Sequence, residues 1–95
     1  MNKETFYVYI LKCKDDTLYV GSTNNLEKRL HAHNNLKSGA HYTKIRRPNI
    51  LVYNEILESY ALARAREGEL KALTRQEKLR LLTSSRDIPS GPAKL

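Results

Sequence analysis

Two aromatic and β-branched runs separated by four residues constrain this chain more than any other feature. Thr5 to Lys12 reads Thr-Phe-Tyr-Val-Tyr-Ile-Leu-Lys, and Thr17 to Gly21 reads Thr-Leu-Tyr-Val-Gly. Such side chains fit a pleated, half-buried surface, so each run is predicted to be a strand. Lys14-Asp15-Asp16 between them is polar and turn-prone. The prediction is a hairpin that brings Tyr9 and Tyr19 near each other on one sheet.

The rest of the chain is read around that hairpin. Gly21-Ser22-Thr23-Asn24 breaks the second strand, and Thr23 or Asn24 is placed to cap a helix. Leu26, Leu30, His33 and Lys37 then share a helical face, with Ala32 and Leu36 alongside. That helix is expected to end near Ser38-Gly39. His41 to Pro48 is short and basic, a helical turn or a loop. Ile50 to Leu57 reads as a third strand. Ser59 is placed to cap a helix to about Leu73, with Leu62, Ala63, Leu70 and Leu73 inward. Thr74 and Glu77 have capping-box spacing and open a last helix to about Thr83. The expected fold is α+β, a three-stranded antiparallel sheet flanked by helices in β-β-α-β-α-α order. Residues 1–84 form one domain in this reading. Residues 85–95, with two prolines and a glycine, form a flexible tail.

Composition narrows the function. The 95 residues suit one core, and 40% of them are apolar. Seventeen Lys and Arg stand against 10 Asp and Glu, a formal net charge of +7. An excess of that size on a small surface attracts polyanions, nucleic acid foremost. Cys13 is the only cysteine, so neither an internal disulfide nor a Cys-based zinc site is available. No apolar run reaches the length of a membrane span, and the N-terminus lacks the order of a signal peptide. A cytoplasmic protein is expected, with no membrane partner. His31 and His33, two apart on a helix, point about 160° from each other and cannot chelate one ion there.

Tyr7-Val8-Tyr9, followed by Tyr19-Val20-Gly21 ten positions after Tyr9, resembles the motif pair that names the GIY-YIG nuclease superfamily. The stretch Leu18 to Leu30, His33-Asn34 after it, and Arg66-Glu67-Gly68-Glu69-Leu70-Lys71 extend the resemblance over roughly residues 5 to 83. It is nearest to the short, stand-alone bacterial members. The first motif departs from the family name, with Tyr7 in place of Gly, and no Asn follows Asn54 where many members carry a late polar residue.

Cutting a phosphodiester needs an activated water, neutralised phosphate charge and help for the leaving oxygen. Tyr, Arg and a metal-holding carboxylate supply those roles, and all three types are here. The resemblance implies that Tyr9 and Tyr19 serve as water activator and as phosphate or relay partner, in an order left open. It implies a phosphate clamp at Arg29, proton-transfer help from His33, and a carboxylate, Glu67, holding one Mg2+ or Mn2+ ion. Gly21 matches the family glycine, where backbone passes close to another element. On helical wheels Arg29 and His33 lie about 60° and 20° from Leu26, and Glu67 about 60° from Leu70, so all three border buried stripes. Ser22, Tyr42, Lys44, Arg46 and Arg47 are read as nucleic-acid contacts, through backbone charge and stacking.

Each residue alone has an ordinary reading: strand aromatics, a solvated Arg29, a packed His33, a Glu67 paired with Lys71 four residues on. Their order and spacing together favour the site. The expected function is metal-dependent phosphodiester hydrolysis, endonuclease-like, on DNA rather than RNA, with low sequence specificity, by a monomer. The alternative is a nucleic-acid-binding module on a nuclease fold with weak or lost catalysis. A third reading is an accessory domain acting through a protein partner.

Overall fold

The computed structural model describes residues 5–87, with side chains to Thr83. Its elements are β1 (Phe6–Lys12), β2 (Leu18–Thr23), α1 (Leu26–Asn35), α2 (His41–Lys44), β3 (Ile50–Leu57), α3 (Tyr60–Ala72) and α4 (Arg75–Asp87). The sheet is three-stranded, in the order β2-β1-β3, and both pairings are antiparallel. The fold is the expected α+β sheet flanked by helices.

β1 is central, so residues on both of its faces are buried: Val8, Tyr9, Ile10 and Leu11 are each at most 2% exposed. Alternation along the strands then divides the residues between two layers. Val8, Ile10 and Val20 pack with Ala63 and Leu70 of α3, and Leu81 and Leu82 of α4 close that core. Tyr7, Tyr9 and Leu11 project from the opposite face of β1, where Tyr9 reaches His33 of α1. A register shift between Ile10 and Leu11 leaves Val52 as an extra residue in β3. Arg66 of α3 grips Glu55 of β3 through two hydrogen bonds, of 2.9 and 2.8 Å, and Tyr53 donates to the same carboxylate.

Four local details differ from the sequence reading. The N-cap of α1 is Asn25, whose side chain accepts from the Lys28 N–H at 3.0 Å. Thr23 stays in β2, paired with Tyr7, and its hydroxyl accepts from the Asn25 N–H. Helix α1 stops at Asn35, not near Ser38. A Cβ on Gly39 would lie 2.5 Å from the Ala32 carbonyl oxygen, so the chain folds back there against the last turn. Leu62 is 52% exposed, because Ala63 and Leu70, seven apart, hold the inward stripe and Leu62 lies about 100° from Ala63. The expected caps Ser59 and Thr74–Glu77 form, the latter with both reciprocal bonds. Helix α4 runs to Asp87, beyond the expected boundary at residue 84, and the rest of the expected tail lies outside the described residues. No helix among the described residues is long and apolar enough to cross a membrane.

Candidate active site

The site starts from a contact inside the sheet. Tyr9 pairs in register with Gly21, and the Tyr9 ring lies across that glycine. A Cβ at Gly21 would stand 2.5 Å from the Tyr9 hydroxyl oxygen and 2.7 Å from Cζ. Gly21 thus leaves the space in which Tyr9 reaches over β2 towards α1.

There the Tyr9 hydroxyl meets His33 Nε2 at 2.7 Å, and His33 Nδ1 meets the Thr43 hydroxyl of α2, also at 2.7 Å. His33 and Thr43 have no exposed surface. Burial pushes the Tyr9 phenol up to about 12, with Arg29 beside it pulling the other way and the negative charge of Glu67 adding to the rise. Burial also holds His33 down at about 4, aided by the positive charges of Arg29 and Arg47. At neutral pH both groups are uncharged.

The aromatic rings are layered. Tyr19 meets His33 edge to face, with centroids 5.2 Å apart, and stacks on Tyr42 at 5.9 Å. Arg46 lies over the Tyr42 ring, 3.8 Å from its centroid. Arg46 also pairs with Asp15 at 3.0 Å and donates to the Tyr42 carbonyl. Arg47 donates to the carbonyls of Ala32, His33 and Leu36, at 3.3, 2.8 and 2.7 Å. The His33 carbonyl is among those that a helix end leaves unsatisfied, while Ala32 also accepts from the Leu36 N–H and Leu36 is the residue that caps α1. Lys44 donates to the Lys37 carbonyl at 3.0 Å. The three cations expected to meet nucleic acid therefore all have partners within the chain.

Glu67 approaches from the other layer. Ser22 and Gly21 are neighbours on β2 and point to opposite faces. The Ser22 hydroxyl donates to Glu67 Oε1 at 2.7 Å, while Lys71 pairs with Oε2 at 2.9 Å. Burial opposes ionisation of Glu67, but the bonds from Ser22 and Lys71 outweigh it and hold the carboxyl below its ordinary value. β2 is an edge strand, so the two halves of the site, Tyr9–His33 and Ser22–Glu67, lie on opposite faces of the sheet at that edge. Arg29 donates to the Ser38 carbonyl at 3.0 Å and lines a groove of about 260 Å³ with Thr23, Asn24, Asn25 and Lys28. A larger cleft, about 350 Å³, lies between the hairpin turn and α4 and touches none of these residues.

Residues 5–80 match the family described as the GIY-YIG catalytic domain. The chain belongs to the GIY-YIG family. It is 58% identical over 78 residues to a UPF0213 protein of Clostridium perfringens, covering 82% of this chain and 83% of that one. It is 53% identical over 76 residues to a UPF0213 protein of Staphylococcus haemolyticus, covering 80% and 92%. The solution NMR structure of a protein from E. faecalis is similar, with a TM-score of 0.63 and 36% identity over 95% of each chain. That of a UPF0213 protein from Bacillus halodurans gives a TM-score of 0.56, 36% identity, and coverage of 93% and 88%.

The two GIY-YIG motifs sit side by side on β1 and β2, so the tyrosine of the first crosses the glycine of the second. Sequence reasoning gave no role to Thr43 or Asn49, and quoted Asn34 only as part of the resemblance. Asn34 and Asn49 clasp α1 to the start of β3 through bonds of 2.7 and 2.9 Å. Nothing in the periodicity of a short basic segment could have marked Thr43. A divalent ion is a separate matter. Among the described residues, no three His, Cys, Asp or Glu side chains converge. Glu67 with the Ser22 hydroxyl beside it fits magnesium, which keeps several waters and binds through one or two carboxylates plus phosphate oxygens. Lys71 would have to leave Oε2 for that oxygen to bind an ion.

Proposed function

We propose that this GIY-YIG protein is a divalent-metal-dependent endonuclease acting on DNA with low sequence specificity. The observation that carries the reading is the Tyr9–His33 hydrogen bond, buried beside Arg29 and within the field of Glu67. A phenol near 12 keeps its proton at neutral pH, so Tyr9 is not a ready base. It can take a proton from water only while passing its own to His33 Nε2. The relay is therefore water to Tyr9 oxygen, and Tyr9 proton to His33, which becomes a cation. Arg29 and Arg47 oppose that cation in the free protein. A phosphodiester held by Arg29 brings compensating negative charge and raises the basicity of His33. Tyr19, edge to face with His33, is the second hydroxyl of the site and serves the phosphate or the leaving oxygen. One Mg2+ or Mn2+ ion at Glu67 and Ser22 supplies positive charge to the phosphate when bound.

A second reading, binding without cleavage, draws on one observation. Lys71 already neutralises Glu67. Labelled single-stranded, duplex and branched DNA, together with RNA, would separate the two. Wild type and Glu67→Gln are compared with Mg2+, with Mn2+ and with chelator. Metal-dependent cutting that Glu67→Gln abolishes is the expected result. Cutting that persists in the variant would refute the role of Glu67. Binding by both proteins with no cutting, weakening by about 0.9 log units per log unit of salt for each neutralised phosphate, would establish the binding module.

A further inference from the structure

The bonds around His33 assign its proton. The Thr43 hydroxyl donates to the Ala40 carbonyl at 2.9 Å. A hydroxyl has one hydrogen, so Thr43 can only accept from His33 Nδ1, 2.7 Å away. Nδ1 therefore carries the imidazole hydrogen. A neutral imidazole has one N–H, which leaves Nε2 bare to accept from the Tyr9 hydroxyl at 2.7 Å. Donation runs one way, from Tyr9 to His33 to Thr43 to the Ala40 carbonyl.

We infer that Thr43 is a positioning residue, fixing His33 as its Nδ1–H tautomer so that Nε2 is the proton acceptor for Tyr9. With the opposite tautomer, His33 would donate to the Tyr9 oxygen and could take no proton from it. The backbone holds Thr43 in place. Its carbonyl accepts from Asn49 Nδ2 and from the Arg46 N–H, each at 3.1 Å. Asn49 in turn is clasped by Asn34 of α1, the neighbour of His33. Because His33 and Thr43 have no exposed surface, bulk water cannot replace a missing partner at Nδ1. The catalytic consequence rests on the nuclease reading, whereas the tautomer does not.

The test reads the imidazole nitrogens of isotope-labelled protein by NMR near neutral pH, alongside cleavage kinetics. Wild type and Thr43→Ser should both show His33 with hydrogen on Nδ1. Thr43→Val keeps the shape of the side chain but loses the hydroxyl. It should shift His33 wholly or partly to Nε2–H and lower kcat by about 10- to 100-fold, with KM within about threefold. Nε2–H in wild type, an unshifted tautomer in Thr43→Val, or Thr43→Ser behaving like Thr43→Val would overturn the inference. A purely structural threonine would lower stability without moving the tautomer. Should Thr43→Val not fold, the other two proteins decide: Nδ1–H in both supports the inference, and Nε2–H in either refutes it. The predicted tautomers without cleavage by any of the three proteins would support the Thr43 assignment and sink the nuclease reading instead.

Discussion

Gly21→Ala adds a single methyl group, and the structure says where it goes. The new Cβ would lie 2.5 Å from the Tyr9 hydroxyl oxygen, 2.7 Å from Cζ and 3.1 Å from Cε1. Non-bonded atoms of this kind prefer about 3.5–4.0 Å, so the Tyr9 ring must move by roughly 1 Å. Tyr9 is only 2% exposed and is bonded to His33 at 2.7 Å, so it cannot swing aside freely. Overpacking of this sort costs about 1–3 kcal/mol, and losing the hydroxyl–imidazole bond adds about 1 kcal/mol. A loss of about 2–4 kcal/mol follows, a large share of the roughly 5–15 kcal/mol that holds a domain folded. Gly68→Ala is the control. Nothing lies within 4 Å of its added Cβ, and it sits inside α3. The same methyl there should stabilise by up to about 1 kcal/mol. Urea unfolding with a shared m-value measures both. In cleavage assays Gly21→Ala should lose about 100-fold, the scale expected for a misplacement near 1 Å. A Gly21→Ala protein within about 0.5 kcal/mol of wild type, with an unchanged His33 spectrum, would refute the crossing argument.

Three further outcomes are expected. His33 is held at about 4 in the folded protein, against about 6.5 when unfolded. The unfolded chain therefore takes the proton first as pH falls, so the contribution is complete above about 6.5 and is lost progressively down to about 4. At about 1.36 kcal/mol per unit its ceiling is about 3 kcal/mol. Urea melts across that window should show the slope, and a His33→Gln protein that keeps it would disprove the assignment. Arg47→Ala should cost about 2 kcal/mol through three lost carbonyl partners, while leaving the salt dependence of DNA binding unchanged; a slope shallower by about one phosphate would instead make Arg47 a DNA contact. Tyr9→Phe strips His33 Nε2 of its buried donor, at a cost of about 1–3 kcal/mol by denaturant melts. It should also abolish the relay, so a variant that cleaves at the wild-type rate would exclude Tyr9 from the chemistry.

The sequence by itself determined the strands and most of the caps. The aromatic and β-branched runs, the Ser59 cap and the Thr74–Glu77 box are short-range signals, legible because each spans only a few residues of chain. The ordered motifs pointed to Tyr9, Tyr19, Arg29, His33 and Glu67, and to the family. Packing decided how those residues act. Tyr9 and His33 are 24 residues apart, His33 and Thr43 ten, and Ser22 and Glu67 45. No local propensity encodes such pairings, because they exist only once β1 is flanked by β2 and the helices are seated on the sheet. Burial acts on the same scale. It sets the Tyr9 phenol near 12 and His33 near 4, values that neither residue has until the folded chain removes water from both. Arg47 shows the same division. Its charge is plain in the sequence, but tertiary structure turns that charge inward onto the His33 carbonyl in the last turn of α1 and the carbonyl of its capping residue, Leu36.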